Sequence, residues 1–174
     1  LDLMADRLDA GFFGNDFGSQ LDLLISPAMF RRFVLPSFQQ IIDQLKSYGL
    51  KVALHSCGAI AKVIPLLIDA GVDCLHPLQA LAANMDAGTL SRDFKGRIAF
   101  MGGIDTQQLL VHGTPRQVRA EVRRVRKLLG PRLIVSPATK PCCRTSRPQT
   151  WKPWRRRHWK HETVITIESE RNCE

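Results

Sequence analysis

The chain has 174 residues, with 25 lysines and arginines against 16 acidic residues and a formal net charge of +9. That length suits about one domain. No apolar run reaches the ~18–20 residues of a bilayer-spanning helix. Leu1 opens no signal peptide, and five irregularly spaced cysteines argue for a reducing cytoplasm rather than a disulfide framework.

Leu1 to Ala10 has helical spacing without a cap, as the tail of a helix would. Gly11 to Gly14 reads as a short strand ending in the polar pair Asn15-Asp16, with Gln20 shortly beyond. Ser26-Pro27 has the form of an N-cap with proline at the first helical position, and apolar residues continue a long helix to Tyr48-Gly49. Pro36 should kink or split that helix. Lys51 to Leu54 is an apolar run too short for a helix, bounded by glycines, and is predicted to be a buried strand.

That strand stops at His55, Ser56 and Cys57. Side chains alternate along an extended chain, so His55 and Cys57 project to one side and Ser56 to the other, a spacing at which a nitrogen and a sulfur grip one metal ion. The same two residues also fit a hydrogen-bonded core histidine and a small buried cysteine.

Gly58 to Ala70 reads as a helix closed by Gly71, and Val72 to Leu75 as a strand ending near His76, Pro77 and Gln79. Asp86 is placed to cap a helix running to Phe94. Arg97 to Met101 is a further strand, ending at Gly102-Gly103-Ile104-Asp105, where Asp105 serves either to orient a ligand or to cap the next helix. Thr114-Pro115 starts a helix whose arginines form a basic stripe, read as a solvated face rather than a nucleic-acid site. Leu133 to Val135 is a fifth strand, ending at Ser136-Pro137.

Strands and helices alternate five times, which predicts an α/β fold with a parallel sheet and outer helices. Each strand is apolar with polar residues at its C-terminal end, the pattern of a (β/α)8 TIM barrel with its site on that rim; an open doubly wound sheet is the second choice. Five βα units are about the C-terminal half of such a barrel, so three N-terminal units are expected to be missing. The open edges then predict self-association, or pairing with the missing half-barrel.

GNDFGSQ at Gly14 to Gln20, HSCG at His55 to Gly58, AGVD at Ala70 to Asp73, GGID at Gly102 to Asp105 and GTPRQV at Gly113 to Val118 together resemble the C-terminal half of the uroporphyrinogen decarboxylase superfamily. The resemblance covers Leu1 to about Ala138 and implies a (β/α)8 barrel. That superfamily also includes cobalamin-dependent methyltransferases, in which a His-x-Cys at a strand end helps hold a zinc ion. The ion activates a thiol to accept a methyl group from a corrinoid. The resemblance thus implies zinc on His55 and Cys57 and a corrinoid, alone or on a protein, as methyl-carrying partner. The third ligand is left among His76, Asp105 and a histidine in another reading frame. Asp105 and His76 are the catalytic candidates, and Asn15, Asp16, Gln20, Gly102 and Gly103 the substrate-binding ones. The alternatives are a metal-free uroporphyrinogen decarboxylase, a lyase of porphyrin and heme biosynthesis, and an inactive oligomerising fragment.

From Thr139 onward the likeness ends and the chain turns basic, with 9 lysines and arginines against 4 acidic residues, compared with 16 against 12 before it. Members of the group tend to continue with a histidine and Leu-Pro-Asp-Val-Pro-Pro. The codons for Ala138 to Trp154, read one frame over, permit that ending. The tail at 139–174 is therefore expected to be a frameshift product, largely disordered. WKPWRRRHWK, despite its mix of basic and aromatic residues, then has no selected nucleic-acid function. Coding DNA in which no alternative frame encodes the family ending would refute this.

Overall fold

In the computed structural model, residues 5–138 are described, and five parallel strands form one sheet in sequential order β1-β2-β3-β4-β5. They are β1 (Ala10–Gly14), β2 (Lys51–His55), β3 (Cys74–Leu78), β4 (Ala99–Ile104) and β5 (Leu133–Pro137). Strictly sequential parallel order with a helical segment in every crossover is the arrangement of one arc of a (β/α)8 barrel, and a doubly wound sheet would instead reverse its order at a switch point. Among the described residues, β1 and β5 each pair on one side only.

The strand pairing fixes which residues share a face. β2 and β3 place Leu54 beside Leu75 and His55 beside His76, while β3 and β4 place Leu75 beside Phe100. Val52, Leu54, Leu75 and Phe100 are buried beneath the helices and form the centre of the core. Phe12, paired with Ala53, and Ile134, paired with Met101, lie on the opposite face and are 54% and 58% exposed. Large apolar side chains thus stand exposed on that second face, whereas parallel sheets are ordinarily buried on both faces.

The helical segments are α1 (Pro27–Met29), α2 (Leu35–Ser47), α3 (Ile64–Asp69), α4 (Ala87–Phe94), α5 (Leu109–His112) and α6 (Pro115–Leu129). Ser26 caps α1 through its hydroxyl, which accepts from the Met29 amide. Pro36 interrupts the long helix as expected: a wide turn at Phe30–Val34 closes by a bond from the Leu35 amide to the Phe30 carbonyl and leads into α2. Such a wide turn suits a proline, which has no amide to give to the preceding turn. Asp86 caps α4, accepting from the Gly88 and Thr89 amides. Thr114 and Gln117 form a reciprocal capping box at α6. The basic residues of α6 are exposed, with Val125 and Leu129 turned into the core.

Several boundaries differ from the sequence reading, among them β4, which runs Ala99–Ile104 rather than Arg97 to Met101, and β5, which continues to Pro137. The helix expected over Leu1 to Ala10 is a single 3-10 turn at Ala5–Arg7 within the described residues. The helix expected from Gly58 begins only at Ala61–Val63 as a 3-10 turn before α3, because Gly58 has φ +88° and cannot enter a right-handed helix. β3 begins two residues later than expected and runs through Pro77, where its register with β4 shifts. Proline has no amide for the ladder, and the shift absorbs that gap. The tail at 139–174, with its frameshift reading, lies outside the described residues. No helix among the described residues is long and apolar enough to cross a membrane.

Candidate metal centre

Two loops following adjacent strands are laced together at the C-terminal rim. The Phe17 amide donates to Ser56 Oγ at 3.3 Å, and the Ala59 amide to the Ser19 carbonyl at 2.7 Å. The Cys57 amide donates to Asp16 Oδ1 at 2.8 Å. Gly58 lies so close to Gly18 that a Cβ on it would sit 2.2 Å from the Gly18 carbonyl carbon. A further bond ties Gly58 to the next strand end, its amide donating to Gln79 Oε1 at 2.6 Å. Asp16 and Cys57 are 41 residues apart in sequence, and this lacing puts their polar groups side by side.

Ser56 is fully buried, its hydroxyl also donating to the Cys57 carbonyl, while its neighbours turn to the other face as strand alternation predicts. Cys57 Sγ lies 3.7 Å from His55 Nε2, and that nitrogen lies 3.3 Å from Asp16 Oδ1. One nitrogen, one sulfur and one carboxylate oxygen thus fall within 4.8 Å of one another. Borderline-soft divalent ions such as zinc take this mixture, and three protein ligands leave a fourth position open. The Asp16 side chain is 55% exposed, so the group opens to the rim.

Electrostatics set the resting state of these donors. Burial foremost, and then the Asp16 carboxylate, push the Cys57 thiol up to about 11, so without a cation it keeps its proton at neutral pH. A thiolate here needs a positive charge beside it, and a bound metal ion supplies one.

His76 stands next in line. Its ring faces that of His55 with Nδ1 to Nδ1 at 2.9 Å, and Phe12 packs on it edge-on with ring centroids 5.3 Å apart. Burial, and secondarily the charge of His55, push His76 down to about 4, so it is neutral near pH 7. It contacts His55 on the Nδ1 side and is not one of the three grouped donors.

Asp105 accepts from the Gln107, Gln108 and Leu109 amides at 2.8, 2.9 and 2.8 Å, which holds the turn leading into α5. It shares a narrow recess with Gln20 and Gln79. Asn15 is exposed, and its Oδ1 accepts from the Asp16 amide. Gly102 and Gly103 are buried; a Cβ on Gly102 would lie 2.6 Å from the Leu78 amide nitrogen and one on Gly103 3.1 Å from Val125 Cγ1. Close packing within the fold accounts for both glycines. Asp16, assigned to substrate from its place after β1, is the residue that completes the donor group, and a sequence signal for it existed only in its position at a strand end.

The architecture is an α/β fold consistent with one arc of a (β/α)8 barrel, its polar groups gathered at the C-terminal rim. The profile of the uroporphyrinogen decarboxylase (URO-D) family matches residues 17–141, and the chain belongs to that family. It is similar to two proteins of Methanosarcina mazei. One is a methylated-thiol–coenzyme M methyltransferase, 27% identical over 58% of this chain and 25% of the relative. The other is the methylcobamide:CoM methyltransferase MtbA, 26% identical over 59% of this chain and 29% of the relative. The chain thus spans only between a quarter and three tenths of the length of these relatives. No solved structure matches it significantly.

Proposed function

We propose that the chain is part of a methyltransferase-like member of its family, in which Asp16, His55 and Cys57 hold a zinc ion at the mouth of the barrel. The observation that carries this reading is the convergence of their three donor atoms from two adjacent strand ends. When bound, zinc lowers the pKa of a coordinated thiol and so favours a thiolate acceptor at neutral pH. The names of both relatives support methyl transfer to coenzyme M, from a methylated thiol in the first and from a methylcobamide in the second; the second favours a methylated corrinoid as the donor here.

Each residue has a definite part in this account. Asp16 and Cys57 supply negative charge, His55 a neutral nitrogen, and the open coordination position admits the acceptor. Asn15, Gln20 and Asp105 shape the rim around the substrate, the last by fixing the loop that follows Gly102-Gly103. A reducing cytoplasm is the compartment that keeps Cys57 available as a ligand. The sheet face on which Phe12 and Ile134 stand exposed and the single-sided edges of β1 and β5 support self-association or pairing with further barrel units.

Metal analysis of the purified protein beside the Asp16→Asn, His55→Ala and Cys57→Ser variants tests the reading. One zinc per chain, lost or weakened at least tenfold in each variant, is expected. Unchanged zinc in all three would place the metal on other residues. A metal-free protein that decarboxylates uroporphyrinogen would establish the activity that gives the family its name and refute methyl transfer.

A further inference from the structure

The donor group of Asp16, His55 and Cys57 does not use His76, and the geometry of His76 gives it a separate task. The β2–β3 register sets His55 beside His76, with ring centroids 5.0 Å apart at an interplanar angle of 41°. Their Nδ1 atoms are 2.9 Å apart. Phe12 lies against both rings, at 6.2 Å from His55 and 5.3 Å from His76.

Two neutral imidazoles meeting Nδ1 to Nδ1 share a single proton, because a hydrogen bond needs one donor and one acceptor. Two arrangements follow. If His76 donates, His55 Nδ1 is the acceptor and His55 carries its proton on Nε2, the atom facing Asp16 at 3.3 Å and Cys57 at 3.7 Å. If His55 donates, its Nε2 presents a lone pair to those groups. Only the second is compatible with a cation at Asp16, His55 and Cys57.

We propose that His76 is the positioning residue for His55, accepting its Nδ1–H so that Nε2 is the atom presented to a metal ion. Metal-bound histidines commonly hand their second ring proton to a partner that fixes tautomer and ring orientation, and loss of the partner typically costs about 10–100-fold in metal affinity. Here that partner is another histidine on the neighbouring strand. A bound cation selects the arrangement with His55 protonated on Nδ1 and His76 on Nε2; starting from the other arrangement, the shared proton crosses to His55 Nδ1, the His55 Nε2 proton is released to solvent, and His76 takes one from solvent on Nε2. The inference rests on the metal reading of the site, but its test separates the two.

The test is zinc titration of the purified protein and its His76→Phe and His76→Gln variants, with histidine ¹⁵N NMR of the zinc-loaded wild type. Thermal melts confirm that the variants are folded. His76→Phe is expected to weaken zinc binding about 10–100-fold, and His76→Gln, whose amide oxygen accepts a hydrogen bond, to recover part of that loss. The NMR spectrum is expected to show His55 protonated on Nδ1 and His76 protonated only on Nε2. Zinc bound through Asp16, His55 and Cys57 with His76 protonated on Nδ1, or with wild-type affinity in folded His76→Phe, overturns the role of His76 and leaves the metal site standing. A wild-type protein that binds no zinc overturns both.

Discussion

Replacing Gly58 with alanine probes the lacing that brings Asp16 to Cys57. Gly58 has φ +88°, where an L-residue pays about 1–2 kcal/mol. A Cβ there would also stand 2.2 Å from the carbonyl carbon and oxygen of Gly18 and 2.7 Å from its Cα. These are backbone atoms, so the two loops must separate, at a further cost of about 1–3 kcal/mol by analogy with overpacked interiors. Gly49 and Gly96 provide the control, with φ of +73° and +82° and nothing within 4 Å of the added methyl. Alanine at either meets only the backbone penalty, partly offset by about 0.4–1 kcal/mol from a stiffer unfolded chain. Gly58→Ala is therefore expected to lower stability by about 2–4 kcal/mol, and the controls by about 1 kcal/mol or less. In thermal melts followed by circular dichroism this is roughly 10 °C against a few degrees for a domain of this size. Zinc affinity should fall in Gly58→Ala alone. A Gly58→Ala protein no less stable than the controls would refute the close approach of the two loops.

The remaining predictions concern the groups around that lacing. Ser56→Ala leaves the Phe17 amide without its buried acceptor; with the bond at 3.3 Å the cost should lie near the low end of the usual range, about 1 kcal/mol, read as a lower urea midpoint at constant slope. For Asp73, burial pushes the carboxyl pKa up, but the Lys46 hydrogen bond, the Val52 amide and the charges of Lys46 and Lys51 outweigh it and hold it below the ordinary aspartate range. A depressed folded pKa stabilises above the unfolded value and loses that contribution as pH falls through the folded one. Wild type should accordingly exceed Asp73→Asn by up to about 1 kcal/mol at pH 7, with the gap closing below about pH 4; a gap independent of pH would refute the ionic account. Phe12→Ser and Ile134→Ser, at the exposed apolar positions, should shift light-scattering masses toward the monomer, and a monomeric wild type would contradict self-association through that face.

The parallel strands were legible because their apolar runs are short and bounded by glycine and proline. The caps at Asp86 and Thr114-Pro115 were equally legible, being local chemistry. His55 and Cys57 could be placed together because strand alternation is a two-residue rule. Asp16 as their partner could not, since only the β1–β2 pairing and the packing of Gly18 on Gly58 close the sequence gap. β3 was placed early because Pro77 marks a strand end to any local rule, and only the register shift with β4 lets the strand continue. The short α5 has too few residues to show a helical period, and its one signal, the carboxylate of Asp105, was equally consistent with a ligand-facing role.

The central claim is that Asp16, His55 and Cys57 share one metal ion, and zinc-edge X-ray absorption on the wild type and Cys57→Ser tests it most directly. A single sulfur at about 2.3 Å with nitrogen and oxygen at about 2.0–2.2 Å, the sulfur vanishing in Cys57→Ser, is the predicted result. A sulfur shell that persists unchanged in Cys57→Ser, or a first shell without sulfur in the wild type, would contradict it.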